Sequence, residues 1–232
     1  MVLLAPMAVV VSLLAGCSGE DSGNGAPDSG AKELLASAKE VIDAADSARF
    51  TITSADVPEG GTALVGGRGS AVRPGQFEGS LEVSFGGTTA TVEVISTDGT
   101  VYAKLPFSSA YAETDPAQFG FGDPGLFMDP DEGVSNLLLK ATGARLTGTS
   151  RIDSEVVQDV EASIPGTIVG DLLVSADPRM PVDATFSIVT ESGELRRAVV
   201  TGPFFDKDVE STFTIVLDRY GEEVDIRAPS TG

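Results

Sequence analysis

Three separate segments of this chain alternate apolar and polar residues with a period of two. They are residues 76–85 (QFEGSLEVSF), 183–189 (DATFSIV) and 209–218 (VESTFTIVLD). Because successive side chains of a strand point to opposite faces of a sheet, each segment should have one apolar and one polar face. Strands with one face in water belong to antiparallel sheets, since strands of parallel sheets are covered on both sides. The alternation therefore predicts an antiparallel sheet that buries one face.

Seven more strands are expected, at residues 49–56, 67–73, 88–97, 99–105, 145–153, 155–162 and 195–202. The turn motifs TDGT (97–100) and ESGE (191–194) should join neighbouring strands into hairpins. Residues 31–48 instead repeat with a helical period and begin after Ser29 or Gly30 as N-cap. Shorter helices are expected at 129–143, with Asp129 as N-cap, and at 165–176.

No Gly/Pro-rich linker or run of charges divides residues 31–228. We therefore expect one α+β domain, in which helices cover the apolar face of a large antiparallel sheet.

The first thirty residues have a different character. Residues 2–15 are apolar except for Pro6 and Ser12, and this run is shorter than the ~20 residues of a spanning helix, so it fits a signal peptide. It ends in LAGC, the bacterial lipobox pattern, and Cys17 is the only cysteine of the chain. We predict a signal peptide at 1–16, a lipidated Cys17 with a flexible tether at 17–30, and a folded domain at 31–232. One feature does not fit this prediction, because no basic residue precedes Lys32, and the alternative interpretation is an ordinary buried or incidental cysteine.

The composition argues against several classes of function. The net charge of −20 disfavours binding to nucleic acids and to anionic membrane surfaces. Histidine is absent, which removes imidazole as a base or metal ligand, and one cysteine cannot form a thiolate zinc site. We expect no metal, no cofactor and no enzymatic activity.

Three motifs resemble functional sites but have plainer structural interpretations. DPDEG (129–133) lacks the remaining ligand positions of a calcium loop, so a helix start is favoured. GGRGS (66–70) lacks the Lys-Ser/Thr of a phosphate loop and indicates a loop or a strand edge. Asp115, Asp123 and Asp129 could pair as the acid and base of a glycosidase. Acids on Pro/Gly-rich loops of a protein with a net charge of −20 need no such explanation, so a hydrolase is the weakest hypothesis.

Residues 105–130 form an expected long loop with six aromatic or Met side chains among Gly, Pro and acidic residues. Long loops are commonly functional or disordered, and disordered segments are poor in aromatics. The loop is expected to pack on the domain as a flap, with a functional rim as the alternative.

Several stretches, in order and spacing, resemble the LppX/LprAFG lipoproteins of mycobacteria and related actinobacteria. They are LAGC, LLASAKEVIDAADSARFTI, DGTVYAKL, DPDEGVSNLLLKATGARLTGTSRID, LRRAVVTGPFF and STFTIVLDRYGEEVDIRAP. The resemblance runs from Leu14 to Pro229. It departs at the missing basic n-region and at the Phe-rich 105–128 loop.

This resemblance implies a curved antiparallel half-barrel, with helices packed on its concave face around an apolar cavity. It implies a monomeric lipoprotein, lipid-anchored on the extracytoplasmic face of the plasma membrane. Such a protein would carry acylated lipids or lipoglycans across the cell envelope, with an envelope lipid transporter as a candidate partner.

Inward positions of the expected strands and helices are the candidate cavity lining. They are Leu35, Val41, Ile42, Phe77, Leu81, Val83, Leu138, Ile168, Leu172, Phe186, Ile188, Phe213 and Ile215. The same residues would equally form a filled core. A filled core with an exposed apolar patch would instead favour an anchored interaction module for an envelope transporter or enzyme.

Overall fold

The structure is a computed structural model that describes residues 28–58, 62–119, 122–172 and 176–231, with only the backbone described at 171 and 172. In these residues one sheet of eleven antiparallel strands dominates the fold. The strands are β1 (Ser47–Ala55), β2 (Thr62–Val72), β3 (Gln76–Phe85), β4 (Thr88–Thr97), β5 (Thr100–Lys104), β6 (Ala112–Glu113), β7 (Thr142–Ile152), β8 (Glu155–Ile164), β9 (Val182–Val189), β10 (Leu195–Asp206) and β11 (Val209–Asp218).

The sheet consists of two meanders joined at the centre, in the order β6-β5-β4-β3-β2-β1-β11-β10-β9-β8-β7. The first and last strands pair there, with Phe50 opposite Leu217. Since β6 and β7 remain as separate edges, the sheet is open rather than closed. The predicted α+β fold with a large open antiparallel sheet is confirmed, and both predicted hairpins form, between β4 and β5 and between β9 and β10.

The first helix, α1 (Ser29–Ala44), buries Ala31, Leu35, Ala38 and Ile42 along one stripe. Its N-cap is Asp28, whose Oδ1 accepts a hydrogen bond from the Gly30 amide at 2.9 Å, so neither expected cap residue holds that position. The prediction of a helix to residue 48 was too long, because the chain is already extended at Ala45 and enters β1.

The prediction of a helix over residues 129–143 was wrong in its first half. Residues 129–134 form a tight turn, and helix α2 spans only Ser135–Lys140. The turn folds back so that the Val134 amide donates to the Phe127 carbonyl at 3.1 Å. A side chain on buried Gly133 would collide with the carbonyl oxygens of residues 126, 127 and 129, so only glycine fits there. The third helix, α3, is Gly166–Leu172.

A polar cluster fastens α1 to the turn before α2. Lys39 Nζ lies 2.7 Å from Asp43 Oδ2 and donates to the Pro130 carbonyl at 2.5 Å. The Ser135 hydroxyl donates to Asp43 Oδ1 at 2.7 Å, and Arg73 Nη2 approaches the same oxygen at 3.5 Å. Side chains from α1, from α2 and from the β2–β3 turn therefore meet at one carboxylate.

The long loop contains more structure than predicted. Besides β6, it forms 3₁₀ helices at Pro116–Phe119 and Pro124–Met128, and the second of these packs against β2, β3 and β4. Met128 is buried, whereas Phe107 is fully exposed. GGRGS lies inside β2, a central strand, so its assignment to a loop or a strand edge was wrong.

The buried apolar side chains form two clusters on the covered face. The larger gathers α1, α2, α3 and residues of β7 to β11, with Phe186, Phe204 and Leu217 among its largest members. The smaller lies over β1 to β5 around Phe50 and Phe77. Ile52 and Phe127 pack against both clusters, so they mark the boundary between them.

The predicted signal peptide, Cys17 and nearly all of the tether lie outside the described residues. Within the described ranges, no helix is both long and apolar enough to span a bilayer.

Candidate lipid-binding cavity

A cavity of about 550 Å³ lies between the two core clusters. Its size is in the usual range of ligand pockets, ~300–1,000 Å³. Its apolar wall comes from β1, β2, β3 and β11, from the second 3₁₀ helix, and from α2 and α3. These side chains are Phe50, Ile52, Leu64, Phe77, Leu81, Leu126, Phe127, Leu137, Ile168 and Ile215.

Three aromatic rings form one side of this cavity. Phe50 stacks on Phe77 with ring centroids 5.3 Å apart, and Phe127 tilts against Phe50 at 4.8 Å. Phe50 and Phe77 come from strands of the sheet, whereas Phe127 comes from the long loop. The loop thus supplies part of the cavity wall.

The backbone beneath Phe50 is built from glycine. Gly69 of β2 pairs directly with Gly79 of β3, and a Cβ on Gly69 would lie 3.1 Å from Phe50 Cζ. Because Gly69 has no side chain, it leaves room for the ring of Phe50 beside it.

One part of the cavity wall is polar. Asp123, Asp131, Glu132 and Asn136 line it, and Asp131 and Glu132 are exposed to solvent, so we call this region the mouth. Asp123 Oδ1 is fixed by the Ser96 hydroxyl at 2.7 Å and the Gly125 amide at 2.8 Å. The amides of Asp131 and Glu132 both donate to Asp129 Oδ1 at 2.9 Å, which orders the turn.

A smaller cavity of about 110 Å³ adjoins the first. The two share Ile52, Leu64, Leu137 and Ile215 as a common wall. The other described side chains around the smaller cavity are Ile164, Val169, Val200, Phe204 and Phe213, all apolar. Together the cavities run from the polar mouth toward the apolar Phe204–Phe213 pair, whose rings meet edge to face at 5.1 Å.

The predicted lining residues occupy different places. Phe77, Leu81, Ile168 and Ile215 line the larger cavity, and Phe213 and Ile215 line the smaller one. Six others lie buried in the packed clusters: Leu35, Ile42, Val83, Leu138, Phe186 and Ile188. Val41 is half-buried on α1, and the side chain of Leu172 is outside the described part. Which of them contact a lipid stays a prediction.

Several lining residues were missed from the sequence. Phe50 and Ile52 alternate within the predicted strand 49–56, so the period-two pattern could have placed them inward. Phe127 belongs to the long loop, which was predicted to pack on the domain as a flap, with a functional rim as the alternative. Leu137 lies beside the predicted Leu138 on α2, and both are buried.

The aspartates weighed as catalytic acids have local structural partners. Asp115 accepts a bond from the Ala117 amide at 3.0 Å, and Asp123 and Asp129 cap their own turns. In the described ranges, no three acidic, His or Cys side chains come together in a group able to hold a metal ion.

Comparison with known proteins gives consistent matches over the whole domain. Over 229 residues the chain is 24% identical to the lipoarabinomannan carrier protein LprG of Mycobacterium tuberculosis, covering 98% of this chain and 94% of that protein. It is 26% identical over 239 residues to the protein of the same name from Mycobacteroides abscessus, with coverage of 98% and 96%.

Two solved structures share the fold. LprF from Mycobacterium bovis superimposes with a TM-score of 0.68 at 19% identity, covering 90% of this chain and 100% of that one. LppX from Mycobacterium tuberculosis gives a TM-score of 0.61 at 16% identity, with coverage of 86% and 100%. The model of the LppX_LprAFG lipoproteins matches residues 30–226, which include almost every described strand and helix. The chain therefore belongs to the LppX_LprAFG lipoprotein family.

Proposed function

We propose that this protein binds acylated lipids or lipoglycans in the cavity and carries them across the cell envelope without enzymatic chemistry. The single observation that carries the proposal is the apolar cavity of about 550 Å³ between the two core clusters. The names of the LprG relatives support a carrier role at the level of the family.

The physical need for such a carrier follows from the cost of exposing an acyl chain to water. Each methylene costs about 0.8 kcal/mol, so a palmitoyl chain costs on the order of 12 kcal/mol. An apolar cavity removes most of that barrier during transfer. The polar mouth then allows the head group to remain in water.

The proposal includes the location of the protein. Cys17 would be acylated after removal of residues 1–16, and residues 18–27 would tether the monomeric domain to the extracytoplasmic face of the plasma membrane. An envelope lipid transporter would load or unload it. Intact-mass analysis of the membrane-extracted protein tests the anchor, because acylation of Cys17 adds the mass of its acyl groups and Cys17→Ala removes it.

The cavity favours this proposal over an interaction module without a ligand. That alternative calls for a filled core beneath an exposed apolar patch. In this protein the core is not filled, because it contains two cavities lined mainly by apolar side chains.

Native mass spectrometry of residues 18–232, purified from an actinobacterium that makes envelope lipids, tests ligand binding. This segment keeps every described element and the Asp28 cap. We expect a population that carries one lipid, released on denaturation and identifiable by tandem mass spectrometry. Apo protein alone, from cells and after incubation with lipids, would refute the proposal.

A further inference from the structure

The loop between β5 and β6 carries the most exposed large apolar side chain of the described residues. Phe107 is fully exposed there, and Leu105 is 48% exposed. We infer that residues 105–111, here called the apolar loop, insert into the head-group region of a phospholipid bilayer. This inference goes beyond the proposed function and shares with it only the assignment of Cys17 as the lipid anchor.

The apolar loop has a defined shape that presents Phe107 to the outside. The Ser108 amide donates to the Leu105 carbonyl at 2.9 Å and closes a turn around Phe107. The Ser108 hydroxyl donates to the Ala110 carbonyl at 2.6 Å, which fixes the descending side of the turn. Because these bonds already order the backbone, insertion of the ring has little further ordering cost.

The charges around the loop fit a bilayer of zwitterionic lipids. The chain has 35 acidic residues, yet residues 99–112 contain none, and Lys104 is their only charged residue. The β3–β4 turn at the same end of the sheet is also uncharged over residues 83–92. A net charge of −20 disfavours contact with membranes elsewhere on the surface, so these neutral segments form the part that can approach lipid.

The residue types that flank Phe107 suit a membrane interface. Lys104 Nζ lies 5.9 Å from the centroid of the Tyr111 ring, so the two side chains stand together at the base of the loop. Tyrosine is enriched at the level of lipid head groups, where its ring is buried and its hydroxyl stays wet. Lysine places its apolar stem along such a surface and keeps its ammonium group in water. An isolated exposed ring is ordinary on a protein surface, but this combination is not.

The proposed anchor brings the same end of the sheet toward the bilayer. Strand β5 runs toward the end of the sheet at which β7 begins. The Asp28 amide donates to the Ala144 carbonyl near the start of β7 at 3.0 Å, so the chain enters the domain at that end. Cys17 lies eleven residues before Asp28, a span of at most about 40 Å when fully extended. A lipidated Cys17 would therefore keep this end near the membrane.

The test uses a fluorescent probe in the loop. The chain contains no tryptophan, so Phe107→Trp introduces the only indole, at a site where the side chain has no packing role. Residues 17–232, which keep every described element, are coupled through the single thiol of Cys17 to a maleimide lipid in phosphatidylcholine vesicles. We expect the indole emission to move to shorter wavelength and to be quenched by brominated phosphatidylcholine.

A matched control places the same probe at the other end of the strands. Ser154 is exposed in the β7–β8 turn, and the indole of Ser154→Trp should be quenched several-fold less than that of Phe107→Trp. Adding Leu105→Asp to Phe107→Trp should abolish the quenching, because the carboxylate would lose its hydration on entering the bilayer. Adding Ser154→Asp instead introduces the same charge away from the loop and should leave the quenching unchanged.

Three results would overturn the inference. The first is no quenching of Phe107→Trp on the vesicles, and the second is equal quenching of Phe107→Trp and Ser154→Trp. The third is a blue-shifted indole without vesicles, which would show that a second copy of the chain covers the loop. Each of these leaves the carrier function standing, because binding of a lipid in the cavity is measured separately by native mass spectrometry.

Discussion

At the scale of single residues, two glycines determine the surface on which the aromatic side of the cavity rests. Gly69 and Gly79 face each other across β2 and β3. A Cβ on Gly79 would lie 2.8 Å from Gly69 Cα and would collide with the Arg68 carbonyl oxygen. The obstacle is backbone, which cannot move aside as a flexible side chain would.

Gly79→Ala is therefore expected to lower the free energy of unfolding by about 1–3 kcal/mol, the usual cost of overpacking. Urea unfolding followed by circular dichroism measures the change. Ser80→Ala is the matched control on the same strand, because its hydroxyl donates to the exposed Glu93 carboxylate, and it should stay within about 0.5 kcal/mol of wild type. Equal stability of Gly79→Ala and wild type would show that the two strands separate easily.

At the scale of elements, the sequence predicted the strands better than the helices. The bounds of β3, β4 and β11 agree with the prediction, because period-two alternation and turn residues are local signals. The predicted start of α2 was wrong for a non-local reason. Gly133 packs against carbonyl groups of the preceding 3₁₀ helix, and helix propensity does not take such a tertiary contact into account. Asp129 was correctly chosen as a capping residue, yet it caps a turn.

The junction between α1 and α2 depends on one carboxylate. Asp43 accepts a hydrogen bond from the hydroxyl of buried Ser135, pairs with Lys39, and lies near Arg73. Lys39 and Arg73 are only 13% and 21% exposed at their side chains, so loss of their partner leaves two poorly hydrated cations.

Asp43→Ala should therefore destabilise the domain by about 1–3 kcal/mol and speed amide hydrogen exchange in α2 more than in β9. Hydrogen exchange followed by mass spectrometry resolves the two segments. Glu40→Ala removes the same charge from an exposed position of α1 and should leave both exchange rates near those of wild type. Uniform faster exchange in both segments would argue for a global effect instead of a local junction.

At the scale of the whole molecule, the sequence could not predict the cavity itself. Alternation shows which side chains point inward, but inward residues look alike whether they touch each other or surround a void. Phe186 and Phe213 occupy equivalent inward positions of their strands, yet only Phe213 borders a cavity. The cavity lies between two clusters, each of which is packed mainly on its own half of the sheet.

A prediction at this scale concerns the wall that the two cavities share. Ile52 lies on β1 at the centre of the sheet, between the clusters, and borders both cavities. In Ile52→Trp the larger indole should close the passage to the smaller cavity. A cavity of ~150 Å³ holds one benzene, which is ~25 Å³ per carbon. The smaller cavity of about 110 Å³ therefore has room for roughly four carbons, and the preferred acyl chain should shorten by about that number.

The measurement is competition among monoacylglycerols of graded chain length, offered at equal concentration to residues 18–232 and weighed by native mass spectrometry. Each methylene that stays buried should contribute about four-fold in affinity, so a shift of a few carbons changes the bound distribution strongly. Thr51→Trp places the same side chain on the exposed position next to Ile52, and it should leave the distribution as in wild type. If Ile52→Trp folds and still selects the wild-type chain lengths, the acyl chain does not extend from the larger cavity into the smaller one.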